Sequence, residues 1–174
     1  MSGDKRRAYI IKKLQASTGP ITGKTLADET GVSRQVIVTD MALLKTANEP
    51  IIPTNRGYLY MDNHPSEDLY RKVIICQHTP DRTQEELEII VDCGVTVVDV
   101  IVEHPFYGEL TGSLMVQSRF DVEQFMTVIS EQDATLLSAL TNGIHLHTIE
   151  ADSEEKIAQA CDRLREAGIL YTEE

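Results

Sequence analysis

The feature that most constrains this chain is a change of hydrophobic period between residues 61 and 68. Before it, apolar side chains recur at three- and four-residue spacing, as in helices that bury one face. After it, runs rich in Val and Ile alternate with helix-period stretches, as in one layered unit of strands and helices. The segment between, MDNHPSED, is polar and holds a proline. It reads as a short linker, with His64 solvated, joining a domain over 1–62 to a domain over 68–174. A chain of 174 residues is long enough for two small cores.

Charge divides at the same place. Residues 1–60 carry nine Lys/Arg and five Asp/Glu, a net of +4; the remainder carries seven and 23, a net of −16. All five histidines lie beyond residue 60. The overall −12 speaks against nucleic acid until it is divided this way; a basic head on an acidic body suits a binding module joined to a regulatory one. No apolar run approaches the roughly 18 residues of a membrane helix. The opening MSGDKRRAYIIKKL breaks its apolar residues with charges, unlike a secretory signal. Three cysteines without a CxxC pair suit reduced thiols. These features predict a cytoplasmic protein with no membrane partner.

In the head, Tyr9, Ile10, Ile11 and Leu14 form one stripe of a helix over 4–16, ended by Gly19-Pro20. Thr22 stands at an N-cap before GKTLADET, with Leu26 and Ala27 inward and Gly31 closing the helix. Ser33 caps a third helix whose Ile37, Met41 and Leu44 face inward, leaving Arg34, Gln35, Val38 and Thr39 outward. Two helices joined by a tight Gly-containing turn make a helix-turn-helix. PIIPT and GYLYM around Asn55-Arg56-Gly57 add a hairpin wing. Arg and Gln at the start of the second of these helices can bond guanine and adenine edges, and a basic wing tip can meet phosphate. The predicted DNA contacts are Thr22, Ser33, Arg34, Gln35, Thr39 and Arg56. A three-helix scaffold for protein contacts is the alternative. The stretch ITGKTLADETGVSRQVIVTDMALLK followed by IIPTNRGYLY resembles the winged-helix head of biotin-repressor-like regulators.

The acidic body predicts strands over 69–78, 95–104, 109–118 and 144–150, and helices over 83–93, 121–130 and 153–168, with a short helical turn at LLSAL. Thr83 and Glu86 have the T-x-x-E form of a capping box. The order β-α-β-β-α-β-α begins as a ferredoxin-like split βαβ, in which the first and fourth strands are antiparallel neighbours in the sheet centre. His78 then ends strand one, His145 and His147 begin strand four, and Glu86 lies in the first turn of the helix after strand one. All four come towards one end. His145 and His147, two apart, share a strand face. Three imidazoles and a carboxylate suit a divalent transition metal such as zinc or nickel. His104 ends strand two, roughly 10 Å from strand one at about 4.8 Å per strand, beside the metal rather than on it. The plain alternatives are surface histidines, a Glu86 occupied as a capping carboxylate, and Cys76 either as a ligand or as a small buried hydrophobe. Cys93 and Cys161 fall in helix patterns as core.

The segments ICQHTPDRTQEELEIIVDCG, VEHPFYGELTGSL and SALTNGIHLHTIEA carry a sharper likeness. Together with the head, they make the whole chain similar to the niacin-responsive transcriptional repressors of Gram-positive and related bacteria. These pair a biotin-repressor-type helix-turn-helix with a 3H domain, an α+β unit named for three histidine-containing motifs. The resemblance implies a repressor of NAD-biosynthesis or niacin-transport genes, not an enzyme, with nicotinic acid as co-repressor. It implies a metal held at His78, Glu86, His145 and His147. Candidates for the effector pocket are His104, Tyr107 and Arg119, the last as a partner for a carboxylate. It further leads us to expect a homodimer that sets two heads at operator half-site spacing, with nicotinate shifting the population towards that arrangement. Two rival readings are a regulator that senses the metal itself and a metal-dependent hydrolase with a DNA-binding appendage, using Glu103 or Glu109 as base.

Overall fold

The computed structural model describes residues 1–61 and 68–172. The chain divides into two compact units, Met1–His64 and Pro65–Glu174. Most of the segment read as a linker, His64 included, lies outside the described residues.

The first unit runs α1 (Gly3–Gln15), α2 (Gly23–Thr30), α3 (Arg34–Thr46), β1 (Ile51–Thr54) and β2 (Gly57–Tyr60). The Thr22 hydroxyl accepts from the Thr25 amide and the Ser33 hydroxyl from the Val36 amide, so both expected caps are made. Gly31 ends α2 at φ 68°, a left-handed conformation that side chains resist. Ile10, Leu14, Leu26, Ile37, Met41, Leu44 and Ile51 close the core. Ile21 bridges to Tyr58 beside the β1–β2 hairpin, which completes a winged helix. Arg6 and Arg7 both bond Asp40, a carboxylate 2% exposed on α3. Part of the positive charge of the head is therefore spent inside it.

The second unit runs β3 (Tyr70–Gln77), α4 (Thr83–Asp92), β4 (Thr96–His104), β5 (Gly108–Val116), α5 (Arg119–Glu131), β6 (Ile144–Ala151) and α6 (Glu154–Glu166). Short 3-10 turns fill Pro80–Arg82 and Leu137–Thr141. The element order is the expected one. The strands lie in the order β3-β6-β4-β5, with antiparallel neighbours throughout. β3 and β6 are neighbours as expected, but β3 sits at the sheet edge rather than in the centre. The strand inserted into the split βαβ is the last one. The outer edge of β3 is met by the chain returning from α6, through Gln77 N–H to the Ile169 carbonyl and Tyr171 N–H to the Ile75 carbonyl. The inner edge is left to β6.

The three helices cover one face of the sheet. Ile74, Leu87, Ile90, Val97, Val116, Val122, Ile149, Leu164 and Ile169 pack there with almost no exposure. Each such aliphatic contributes about 1.5–3 kcal/mol. The alternation of β6 sends His145 and His147 to this same covered face, beside Cys76 and Ile74 of β3. The other face leaves Val73, Ile75 and Ile144 exposed.

Candidate metal centre

Imidazole rings in an apolar core must satisfy both ring nitrogens or pay for burying them. The structure satisfies one nitrogen of each ring in the same way. His78 Nδ1 lies 2.8 Å from the Thr79 carbonyl, His145 Nδ1 2.9 Å from that of Gly143, and His147 Nδ1 2.6 Å from that of Asp99. A carbonyl only accepts, so each Nδ1 carries its proton. In a neutral ring the proton is then spent, and Nε2 presents a bare lone pair.

All three Nε2 atoms turn towards Glu86. His78 Nε2 is 2.6 Å from Oε2; His145 Nε2 is 3.0 Å and His147 Nε2 3.4 Å from Oε1. His147 Nε2 is buried with no hydrogen-bond partner. Glu86 is 1% exposed, and the four side chains are walled off from water. Neutral rings would set three lone pairs against an anion. Fully protonated rings would set three buried cations against one carboxylate. A divalent cation among them satisfies every donor at once, and the carbonyl contacts fix the ring orientations that such a cation needs. The residues fit the metal that the family likeness implies.

Glu86 and the rings of His78 and His147 also shift one another's titration. Burial disfavours the Glu86 anion, but the charge of His147 and the hydrogen bonds of His145 and His78 hold its pKa well below the usual carboxylate range. Burial lowers the pKa of His78 and of His147; the Glu86 hydrogen bond outweighs it at His78 and the Glu86 charge outweighs it at His147, so both end raised. Burial pushes the Cys76 thiol up, and the Glu86 charge adds to this.

Local structure explains how distant residues meet. Gly143 takes φ 85°, and a Cβ there would stand 2.2 Å from the His78 carbonyl oxygen. Only glycine lets the start of β6 approach the end of β3 this closely. β4 slips its register against β6 between Val97 and Ile101. Asp99 sits in that irregularity, its carbonyl on the His147 ring and its carboxylate on the Thr148 amide. Thr83 is the first residue of α4 rather than its cap, because the 3-10 turn carries the chain in from upstream, and Glu86 faces the histidines instead of closing a capping box. The Thr83 hydroxyl is buried without a partner. It borders a cavity of about 30 Å³ between the ring cluster and an apolar wall that includes Phe125, Leu136 and Leu137.

The residues predicted for the effector are placed elsewhere. His104 Nδ1 accepts from the amides of Phe106 and Tyr107 and holds the β4–β5 turn together. Tyr107 is 77% exposed. Arg119 bonds both oxygens of Asp92 and reaches Glu88, tying α5 to α4. None of the three lines the cavity. Glu103 and Glu109 face each other across the exposed hairpin. Sequence reasoning misses Asp99, Gly143 and the cavity wall, and reads Thr83 only as a helix cap.

On the winged helix, Ser33, Arg34, Gln35 and Thr39 are exposed at the start of α3, and Thr22 is exposed ahead of α2. The Thr39 hydroxyl donates to the Gln35 carbonyl. Arg56 is partly buried in the hairpin turn, its amide donating to Thr54 Oγ1.

Comparison with known proteins adds two domain matches. The 3H domain family matches residues 71–173, and an HTH domain family matches residues 6–59. "Transcription repressor NadR" of Bacillus subtilis (strain 168) is 48% identical over 98% of this chain and 95% of that protein. "Probable transcription repressor NiaR" of Thermotoga maritima (strain ATCC 43589 / DSM 3109 / JCM 10099 / NBRC 100826 / MSB8) is 38% identical over 97% and 94%.

Proposed function

This chain belongs to the 3H-domain family of helix-turn-helix proteins, and from that membership and its buried ring cluster we propose that it is a DNA-binding transcription repressor of NAD metabolism. The winged helix binds operator DNA. The 3H domain holds a divalent transition metal, nickel or zinc, on His78, Glu86, His145 and His147 and takes nicotinic acid as co-repressor. The observation that carries the sensor half is the convergence of three Nε2 atoms on one buried carboxylate.

In this reading the effector sits in the cavity beside the ring cluster rather than at His104, Tyr107 and Arg119. The cavity beside the ring cluster has an apolar wall for a pyridine ring and the unpartnered Thr83 hydroxyl for a carboxylate or ring nitrogen. Its volume of about 30 Å³ suits an ion and a water, so a ring enters only when Leu136 and Leu137 give way. The segment Leu137–Thr141 leads into Gly143 and β6, so that displacement reaches the metal ligands directly.

DNA half-sites recur at helical-turn spacing, so two heads must be held together. The exposed Val73, Ile75 and Ile144 supply apolar surface for a second copy. Nicotinate acts by binding the DNA-competent arrangement better; a tenfold gain in operator affinity requires about 1.4 kcal/mol of coupling. The test is an operator titration crossing metal-loaded and stripped protein with nicotinate present and absent. Tight binding only with metal and nicotinate together supports the reading. A response to metal alone makes the protein a metal sensor, and no response to either removes the sensor role.

A further inference from the structure

We propose that Cys76 supplies a fifth donor, a thiolate, to the metal held by His78, Glu86, His145 and His147; the inference rests on the metal reading above. Cys76 is paired in register with His145 across β3 and β6, so the two side chains stand on the same face. It is fully buried. Its Sγ, a Glu86 carboxylate oxygen and a His145 ring nitrogen lie within 4.8 Å of one another. Metal–sulfur bonds of about 2.3 Å and metal–nitrogen bonds of about 2.0 Å put tetrahedral donors about 3.5 Å apart, so the side chains draw in by about an ångström as the ion seats. An independent sign that this spot takes a cation is the buried, unpartnered Nε2 of His147, aimed at the same carboxylate.

Charge supplies the reason for a fifth donor. Among the described residues, Glu86 is the one carboxylate bonded to the Nε2 atoms. The Asp99 carboxylate is engaged by the Thr148 amide, on the Nδ1 side of His147. A divalent ion with neutral rings and Glu86 alone leaves one buried positive charge, which is costly away from water. On binding, the Cys76 S–H bond breaks, a metal–sulfur bond forms and the proton leaves to solvent. The site becomes neutral. A thiolate among imidazoles also biases the site towards zinc, nickel or cobalt over magnesium or manganese.

Cobalt(II) added to the stripped full chain reads this directly, because sulfur coordination gives an intense near-ultraviolet charge-transfer band on top of the visible ligand-field bands. We expect both features in the unaltered protein and in Cys161→Ser, whose sulfur lies outside the cluster. Cys76→Ser is expected to keep the visible bands, lose the charge-transfer band and bind cobalt about tenfold more weakly. Visible bands without charge transfer in the unaltered protein overturn the thiolate and leave the metal site standing. A charge-transfer band that persists in Cys76→Ser overturns it equally. No cobalt spectrum at all overturns both the thiolate and the metal reading. The spectrum of the unaltered protein decides the matter even if the serine variant does not fold.

Discussion

His147 Nδ1 lies 2.6 Å from the backbone carbonyl of Asp99, at the point where β4 slips its register against β6. A local irregularity in one central strand thereby sets the rotation of a ring on the next. The Asp99 carboxylate secures the irregularity by accepting from the Thr148 amide at 2.9 Å. Asp99→Ala is expected to leave the helices folded and to weaken metal binding about tenfold, because the ring loses its fixed orientation. A metal titration alongside circular dichroism checks both halves.

Gly143 makes a second prediction. With φ 85° and a would-be Cβ 2.2 Å from the His78 carbonyl oxygen, Gly143→Ala must push β6 away from the end of β3. The expected result is loss of stoichiometric metal binding and a destabilisation of about 1–3 kcal/mol by chemical denaturation.

The pH dependence should differ in sign with and without metal. In stripped protein the raised pKa values of His78 and His147 contribute stability that is full below the unfolded value of about 6.5 and lost as pH rises through the folded values. The depressed pKa of Glu86 contributes stability above the unfolded carboxylate value of about 4.3, lost as pH falls through the folded value. Stripped protein should therefore be most stable in mildly acid solution and weaken above neutrality. Metal requires unprotonated rings, so its stabilising effect should grow over the same rise. Calorimetric melting points across this range, with and without zinc, provide the check.

Arg119→Ala separates the effector pocket expected from sequence from the cavity proposed for it beside the ring cluster. Its guanidinium is committed to Asp92 and Glu88 on the surface between α4 and α5. The substitution should leave the nicotinate response intact, whereas Thr83→Val, at the cavity, should weaken nicotinate binding several-fold. Isothermal titration on metal-loaded protein distinguishes the two.

Much of this was legible in the sequence. The Thr22 and Ser33 caps, Gly31 and the Ile37-Met41-Leu44 stripe placed the winged helix, since local hydrogen-bond chemistry decides helix ends. The period-two spacing of His145 and His147 put both on one face whatever the strand order. The antiparallel pairing of the first and last body strands was enough to bring His78 to them, even though β3 is an edge strand. Backbone carbonyls carry no sequence signature, so the roles of Thr79, Gly143 and Asp99 in orienting the rings were invisible. The destination of Arg119 was also invisible, because a surface guanidinium pairs with whichever carboxylates the helix packing brings near, here Asp92 and Glu88. Thr83 and Glu86 matched a capping box, yet the upstream 3-10 turn moved the helix start and tertiary contacts claimed the carboxylate.

The central claim is that one divalent ion seats on His78, Glu86, His145 and His147. Equilibrium dialysis of the full chain against nickel or zinc, followed by elemental analysis, tests it most directly when run beside a His145→Ala, His147→Ala double variant shown to be folded by circular dichroism. The account predicts one tightly held ion per chain in the unaltered protein and none in the variant. An unaltered protein that retains no ion, or a folded variant that retains it undiminished, would contradict it.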